Sequence, residues 1–89
     1  MVNVQVVPRQ IVRTKFLGPT DHRPARVKAT TISGKSVTLS WDHALNMDEN
    51  HARAAQSLIE QMNEIGGGWS GNWTGGNDGN GYVFVNNGS

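Results

Sequence analysis

With 89 residues, 36% of them apolar, and no cysteine, the chain can close one small core but has neither a disulfide framework nor a cysteine-based zinc site. Residues 1–40 hold seven basic and one acidic side chain, a net charge of +6, whereas residues 41–89 hold one basic and six acidic, a net charge of −5. These features favour a single domain over residues 1–89 that has no room for a deep catalytic cleft and that presents a positive surface despite an overall charge of +1.

Three strand-like segments come first in the chain. Residues 10–17 alternate apolar and basic side chains, and residues 26–32 resume this alternation after a loop at 18–24 that is marked by Gly and Pro. Residues 36–41 then alternate hydroxyl and apolar side chains. Residues 1–9 are predicted to form either an extra strand or an arm.

The hairpin between the second and third strands must keep the apolar side chains of both on one face. A two-residue loop would place Lys28 opposite Leu39, which mixes charged and apolar side chains. A three-residue loop over residues 33–35 instead pairs Val27 with Trp41. Because a slip of one residue moves every side chain to the other face, the sequence predicts the three-residue loop.

One helix is predicted over about Met47–Ile65. Asn46, three positions before Glu49, matches a capping box, and three glycines at 66–68 end the periodic pattern. The apolar residues recur at helical spacing and mark the side that faces the core. This stripe comprises Ala55, Leu58, Ile59, Met62 and Ile65.

The C-terminal part is predicted to form a hairpin. Residues 69–73 supply its first strand and 82–85 its second, with the Gly- and Asn-rich residues 75–81 as the turn. Residues 86–89 are expected to be a frayed tail. The predicted fold is therefore α+β: a small antiparallel sheet in the order β-β-β-α-β-β with one helix packed on one face.

Basic side chains dominate one face of the first two predicted strands, on the side opposite the helix. Like charges across neighbouring strands repel, and a polyanionic partner would turn this repulsion into attraction. The alternative is that these charges only solvate an exposed face, with Asp42 paired to Arg26. The candidate contact residues for nucleic acid or an acidic protein surface are Arg13, Lys15, Asp21, His22, Arg23, Arg26, Lys28 and Lys35.

The aromatic and titratable residues offer fewer indications. Trp69 and Trp73 could stack on bases, or they could cover the end of the small core. The three histidines match no zinc spacing, and the single carboxylate at Asp78 falls short of the oxygen ligands that calcium requires. We therefore expect no metal and no cofactor. Since no nucleophile motif is present, we also expect no enzyme activity.

Membrane insertion and secretion are not indicated by the sequence. No apolar run approaches the roughly 18–20 residues that cross a bilayer, and the first residues are too polar for a signal peptide. A cytoplasmic protein with no membrane contact is therefore expected.

Residues 13–29 read Arg-Thr-Lys-Phe-Leu-Gly-Pro-Thr-Asp-His-Arg-Pro-Ala-Arg-Val-Lys-Ala. This stretch resembles a motif in short uncharacterised phage and mobile-element proteins, Thr-Lys-Tyr-Leu-Gly-Pro-Thr-Asn-x-Arg-Gly-x-Arg-Ile-Lys-Ala. Phe16, Asp21 and Pro24 stand where that motif has Tyr, Asn and Gly. Residues 50–55 (Asn-His-Ala-Arg-Ala-Ala) and 81–84 (Gly-Tyr-Val-Phe) are also similar. The resemblance implies a viral or mobile-element accessory protein, active in the host cytoplasm, with partner contacts between residues 18 and 28.

Three functional hypotheses follow. The leading one is a non-enzymatic binding module for nucleic acid or another anionic partner. The second is a protein–protein module that modulates a host factor through the Trp-Gly hairpin and the loop at 18–24. The third is a structural or homo-oligomeric protein that pairs through an exposed edge strand.

Overall fold

The computed structural model describes residues 1–7 and 9–88. Its elements are, in chain order, β1 (Ile11–Leu17), β2 (Arg26–Thr31), β3 (Ser36–Ser40), α1 (Met47–Gly66), β4 (Trp73–Asn77) and β5 (Tyr82–Asn86). The strands form one antiparallel sheet in the spatial order β3-β2-β1-β5-β4. The predicted α+β class and element order are confirmed.

The helix α1 packs on one face of the sheet, against β1, β2 and β3. Strand alternation turns Val12 and Val27 toward it, and both are fully buried, whereas the next residue in each strand, Arg13 or Lys28, is exposed on the other face. The alternation read from the sequence therefore predicts the faces correctly. The buried core comprises Val12, Val27, Ala29, Ala54, Ala55 and Leu58.

The β2–β3 hairpin differs by two residues from the predicted register. The structure pairs Val27 with Leu39 rather than with Trp41. The loop has three residues, as predicted, but it starts one position earlier and spans Ile32–Gly34. Gly34 adopts a φ of 97°, which glycine tolerates far better than lysine, so glycine occupies the last position of the loop. A shift of two residues keeps every side chain on its predicted face.

The predicted start of α1 is confirmed in detail. The Asn46 side chain accepts the Glu49 N–H, and the Glu49 carboxylate accepts the Asn46 N–H, which completes the capping box. At the other end, the Gly67 N–H donates to the Asn63 carbonyl. The helix ends at Gly66, one residue later than predicted.

The buried side of α1 is rotated from the predicted apolar stripe. Ile59 and Met62 are only half-buried, and Ile65 is 67% exposed. A 20-residue helix is about 30 Å long, whereas strands of five to seven residues span roughly 17–24 Å, so we attribute the exposure of Ile65 to a last turn that outruns the sheet. The buried residues are Asn50, His51, Ala54, Ala55 and Leu58.

The C-terminal hairpin begins later than predicted. Strand β4 spans Trp73–Asn77 rather than 69–73, because Gly75 and its neighbours pair with β5 instead of forming the turn. The ring of Phe84 lies where a β-carbon on Gly75 would be, so the aromatic ring covers the glycine. Trp69 consequently precedes the strand.

Both chain ends differ from the expectations in part. The predicted frayed tail is wrong for residues 86–88, because Asn86 belongs to β5 and Asn72 bonds to Asn87 and Gly88 through backbone groups. Ser89 lies outside the described residues. At the other end, residues 1–7 form an exposed arm without strand structure, so the extra strand predicted as one alternative is not formed there. Pro8 also lies outside the described residues.

Candidate anionic-ligand interface

Strands β1 and β2 place four basic side chains on the sheet face opposite α1. In the β1–β2 register, Lys15 lies directly opposite Lys28, and Arg26 lies opposite Leu17. Arg13 belongs to the same face, two residues before Lys15. These four residues, called the basic face below, are the group that the sequence predicted to project together.

A shallow cavity of about 400 Å³ opens on the basic face. Its floor and one wall are formed by outward side chains of β1 and β2, and the other wall is the tip of the β4–β5 hairpin. Three of the four residues of the basic face line this cavity. The charged side chains that line this basic pocket are Arg13, Lys15, Lys28 and Asp78.

Asp78 places a carboxylate of the protein's own beside the basic pocket. The Asn80 N–H has the largest effect on the pKa of Asp78 and lowers it. Desolvation opposes this shift, and the Gly81 N–H and the Arg13 charge lower the pKa further. The Arg13 guanidinium lies 3.7 Å from this carboxylate, and the two side chains are 67% and 39% exposed, so water screens their attraction and it is weak. The pocket keeps a net charge of +2.

Arg26 lies near the other end of the basic face and is half-buried. The expected ion pair between Arg26 and Asp42 is not formed, because the register sets Ser40 opposite Arg26. Within the described residues, the ion pair that is found joins Arg13 and Asp78. The Nε of Arg26 is buried and has no hydrogen-bond partner among these residues.

The remaining predicted contact residues are less concentrated. Asp21, His22 and Arg23 are exposed in the loop between β1 and β2, next to the end of the basic face at Arg26. The Thr20 hydroxyl shapes this loop by accepting the N–H groups of His22 and Arg23. Lys35 precedes β3, and strand alternation puts it on the side of the sheet that faces α1. It is therefore separate from the basic face.

The two tryptophans lie on the other side of the sheet. Their rings are nearly parallel, with an interplanar angle of 6° and centroids 6.1 Å apart, and the Trp73 Nε1–H donates to the Trp69 carbonyl. Both are half-buried and pack against the core. They line a groove of about 470 Å³ beside Ile59 and Phe84. Trp69 and Trp73 thus do not share a site with the basic face.

A buried cluster around His51 was missed by the sequence reasoning, which placed this residue only at a crowded helix start. The His51 Nδ1 lies 2.7 Å from the Thr14 hydroxyl, and its ring stacks on Tyr82 with centroids 4.3 Å apart. The Tyr82 hydroxyl donates to the Asp48 carboxylate. Burial lowers the pKa of His51, and the charge of Asp48 only partly opposes this effect. The one available signal was the spacing of His51 and Ala55, which share a helix face.

Within residues 1–7 and 9–88, no three His, Asp or Glu side chains converge in a way that could hold a metal ion. In the same residues, α1 is not apolar enough to cross a membrane. No protein-family model matches the chain, and no curated protein or solved structure is significantly similar to it.

Proposed function

We propose that this protein is a non-enzymatic binding module whose basic face contacts nucleic acid. The observation that carries the proposal is the direct opposition of Lys15 and Lys28 on the face that α1 leaves open. Like charges opposite each other across strands destabilise a sheet by tenths of a kcal/mol, and a phosphate bound between them removes that repulsion.

The neighbouring strand supplies hydrogen-bond donors without adding charge. Ser36, Thr38 and Ser40 lie on the outer face of β3, opposite Thr30, Lys28 and Arg26. Hydroxyl groups of this kind commonly contact phosphate and sugar oxygens, whereas Lys and Arg supply most of the affinity.

Asp78 competes with the ligand for Arg13. A phosphate that enters the basic pocket must work against this carboxylate, which is ionised at neutral pH and lies 3.7 Å from the Arg13 guanidinium. Removing its charge should therefore strengthen binding. Stronger binding would show that the charge of Asp78 opposes the ligand, whereas a purely structural role of Asp78 in the hairpin predicts no gain in affinity.

The test is fluorescence anisotropy with labelled mixed-sequence DNA and RNA across a salt series. Three phosphate contacts predict that log affinity falls with log salt at a slope of about −2 to −3. Lys28→Glu should weaken binding by about tenfold or more at low salt, and Asp78→Asn should strengthen it. Lys35→Glu is the matched control, since it makes the same charge change off the basic face.

Equal losses in Lys28→Glu and Lys35→Glu would show that only net charge matters and would contradict a defined site. Absence of binding by the unmodified protein at low salt would reject the nucleic-acid proposal outright. Circular dichroism of each variant separates these outcomes from unfolding.

An acidic protein surface is the second candidate, and one observation favours it. Ile11, Val83 and Val85 are half-buried on the same outer face, beside Arg13. A strip of apolar side chains next to positive charge suits a protein surface better than a phosphate backbone. Binding of a polyglutamate peptide, with no binding of DNA or RNA, would favour this candidate.

The biological setting is also a proposal. The likeness of residues 13–29 to short phage and mobile-element proteins supports an accessory role in a host cytoplasm. Gene neighbours that encode phage structural or replication proteins would support this setting, and neighbours with only housekeeping functions would contradict it.

A further inference from the structure

The arm at residues 1–7 has the pattern of a strand but no strand partner within the described residues. Val2, Val4 and Val6 are 84%, 87% and 97% exposed, and Asn3 and Gln5 separate them. Strict alternation of apolar and polar side chains is typical of a strand with one face buried. Three valines on one side of an extended segment therefore indicate a surface that is covered in another assembly state.

The free edge of β3 offers the backbone groups that such a segment needs. In an antiparallel ladder the residues bonded to the partner strand alternate with residues that point away. The Thr31 N–H donates to the Lys35 carbonyl, and the Trp41 N–H donates to the Ala25 carbonyl. This alternation turns the N–H and C=O groups of residues 36, 38 and 40 outward, away from β2.

Most of this edge is open. Arg53 Nη2 lies 2.6 Å from the Ser40 carbonyl and occupies that one acceptor. Ser36 and Thr38 keep both backbone groups free of the β2 ladder. The edge carries no proline and no charged side chain of its own, which are the usual means of keeping an edge strand unpaired.

We propose that the arm of one copy of this protein adds to the β3 edge of a second copy as a sixth strand. The side-chain pattern matches in this arrangement. The arm valines continue the apolar row of Val37 and Leu39 on the helix side, and Asn3 and Gln5 lie beside the hydroxyl side chains of β3 on the outer face.

The arm can reach the β3 edge of its own chain only if the residues between Val7 and Ile11 are fully extended. A strand beside β3 lies three strand spacings from β1, about 14 Å, since neighbouring strands are about 4.8 Å apart. The four steps from Val7 to Ile11 span at most about 14 Å when fully extended. The loop at Ile32–Gly34 closes the same end of β2 and β3, so the connection would also have to pass around it. A second copy removes this restriction.

The other edge strand of the sheet, β4, matches the side-chain pattern of the arm less well than β3 does. On the helix side, β4 presents Trp73, Gly75 and Asn77, so only one of the three positions is apolar. Val2, Val4 and Val6 would face a glycine and an amide there. The β3 edge is therefore the assigned site, and reciprocal exchange of two arms gives a closed two-fold dimer.

Analytical ultracentrifugation of the full chain over a concentration series tests the proposal. We expect a monomer–dimer equilibrium that Val4→Lys weakens by about tenfold or more, because a charge would enter the apolar row. Gln5→Lys is the matched control, with the same charge added one position along the arm, and it should leave the dimer intact. Since the arm is exposed, neither variant should affect folding.

A second variant tests which edge is used. Thr38→Pro removes one outward N–H group from β3 and leaves the ladder with β2 in place, so it should also favour the monomer. A protein that stays monomeric throughout, or equal effects of Val4→Lys and Gln5→Lys, would overturn the proposal. A dimer that survives Thr38→Pro but not Val4→Lys would overturn the assignment to β3. Species larger than a dimer would contradict reciprocal exchange.

Discussion

Gly76 and Gly81 lie in the same hairpin but differ in what surrounds them. A β-carbon on Gly81 would overlap the backbone carbonyl oxygen of Thr14, whereas nothing lies within 4 Å of one on Gly76. Neither glycine has a positive φ, so the difference is one of space and not of backbone conformation. The absence of a side chain at Gly81 lets the hairpin tip approach β1 and hold Asp78 beside the basic pocket.

Gly81→Ala should therefore lower the free energy of unfolding by about 1–3 kcal/mol, because the backbone of β1 or of the hairpin must move. Gly76→Ala should change it by no more than about 0.5 kcal/mol. Urea unfolding of the two variants measures both values. Equal effects would show that the close approach to Thr14 does not constrain the hairpin.

Two asparagines at the start of α1 perform different tasks. Asn46 caps the helix from an exposed position. Asn50 is fully buried, and its side-chain amide accepts the Asp42 N–H and donates to the carbonyls of Asp42, Leu45 and Asn46. It therefore holds the segment between β3 and α1 against the helix.

Replacing these residues by alanine should separate the two tasks. Asn46→Ala should lower the free energy of unfolding by about 1 kcal/mol, the usual effect of losing a cap. Asn50→Ala removes the side-chain partner of the Asp42 N–H and of three carbonyls at a partly buried site, and should lower it by more than about 2 kcal/mol. Thermal and urea unfolding give both differences. A larger loss at Asn46 would contradict the role assigned to Asn50.

At the scale of the whole molecule, the His51 cluster joins elements that are far apart in the chain. It connects α1 through His51 and Asp48, β1 through Thr14, and β5 through Tyr82. His51 is only 2% exposed, and burial keeps its pKa below the ordinary value of 6.5. The neutral imidazole is therefore part of the folded structure.

This cluster predicts a loss of stability in mild acid. As pH falls below about 6.5, the unfolded chain takes up a proton at His51 while the folded protein, with its lower pKa, does not. The stabilisation from neutral His51 is complete above a pH of about 6.5. It is lost as the pH falls from there through the lower pKa that His51 has in the folded protein. Urea midpoints between pH of about 7.5 and 5.5 should decrease accordingly.

His51→Gln should flatten this pH dependence, although it lowers stability at every pH. His22→Gln, at an exposed loop position, should leave the pH dependence unchanged. A slope that persists in His51→Gln would assign the acid sensitivity to other groups.

The features that the sequence predicted correctly depend on near neighbours. Alternation in residues 10–17 and 26–32 assigned each side chain to its face, which was enough to group Arg13, Lys15, Arg26 and Lys28. The spacing of Asn46 and Glu49 was enough to predict the helix start. The predictions for β4 and the tail failed, because Gly75 and Asn86 take their conformation from partners in other elements.

The sequence by itself determined the α+β class, the element order and the side of the sheet on which Arg13, Lys15, Arg26 and Lys28 lie, because side-chain direction follows from backbone periodicity alone. Only the tertiary structure decided the strand order, which places β1 at the centre between β2 and β5. It also decided that Asp78 lies beside Arg13 and that His51 is buried against Tyr82. These contacts join residues 31 to 65 positions apart, and no local pattern encodes which distant segments meet when the core closes.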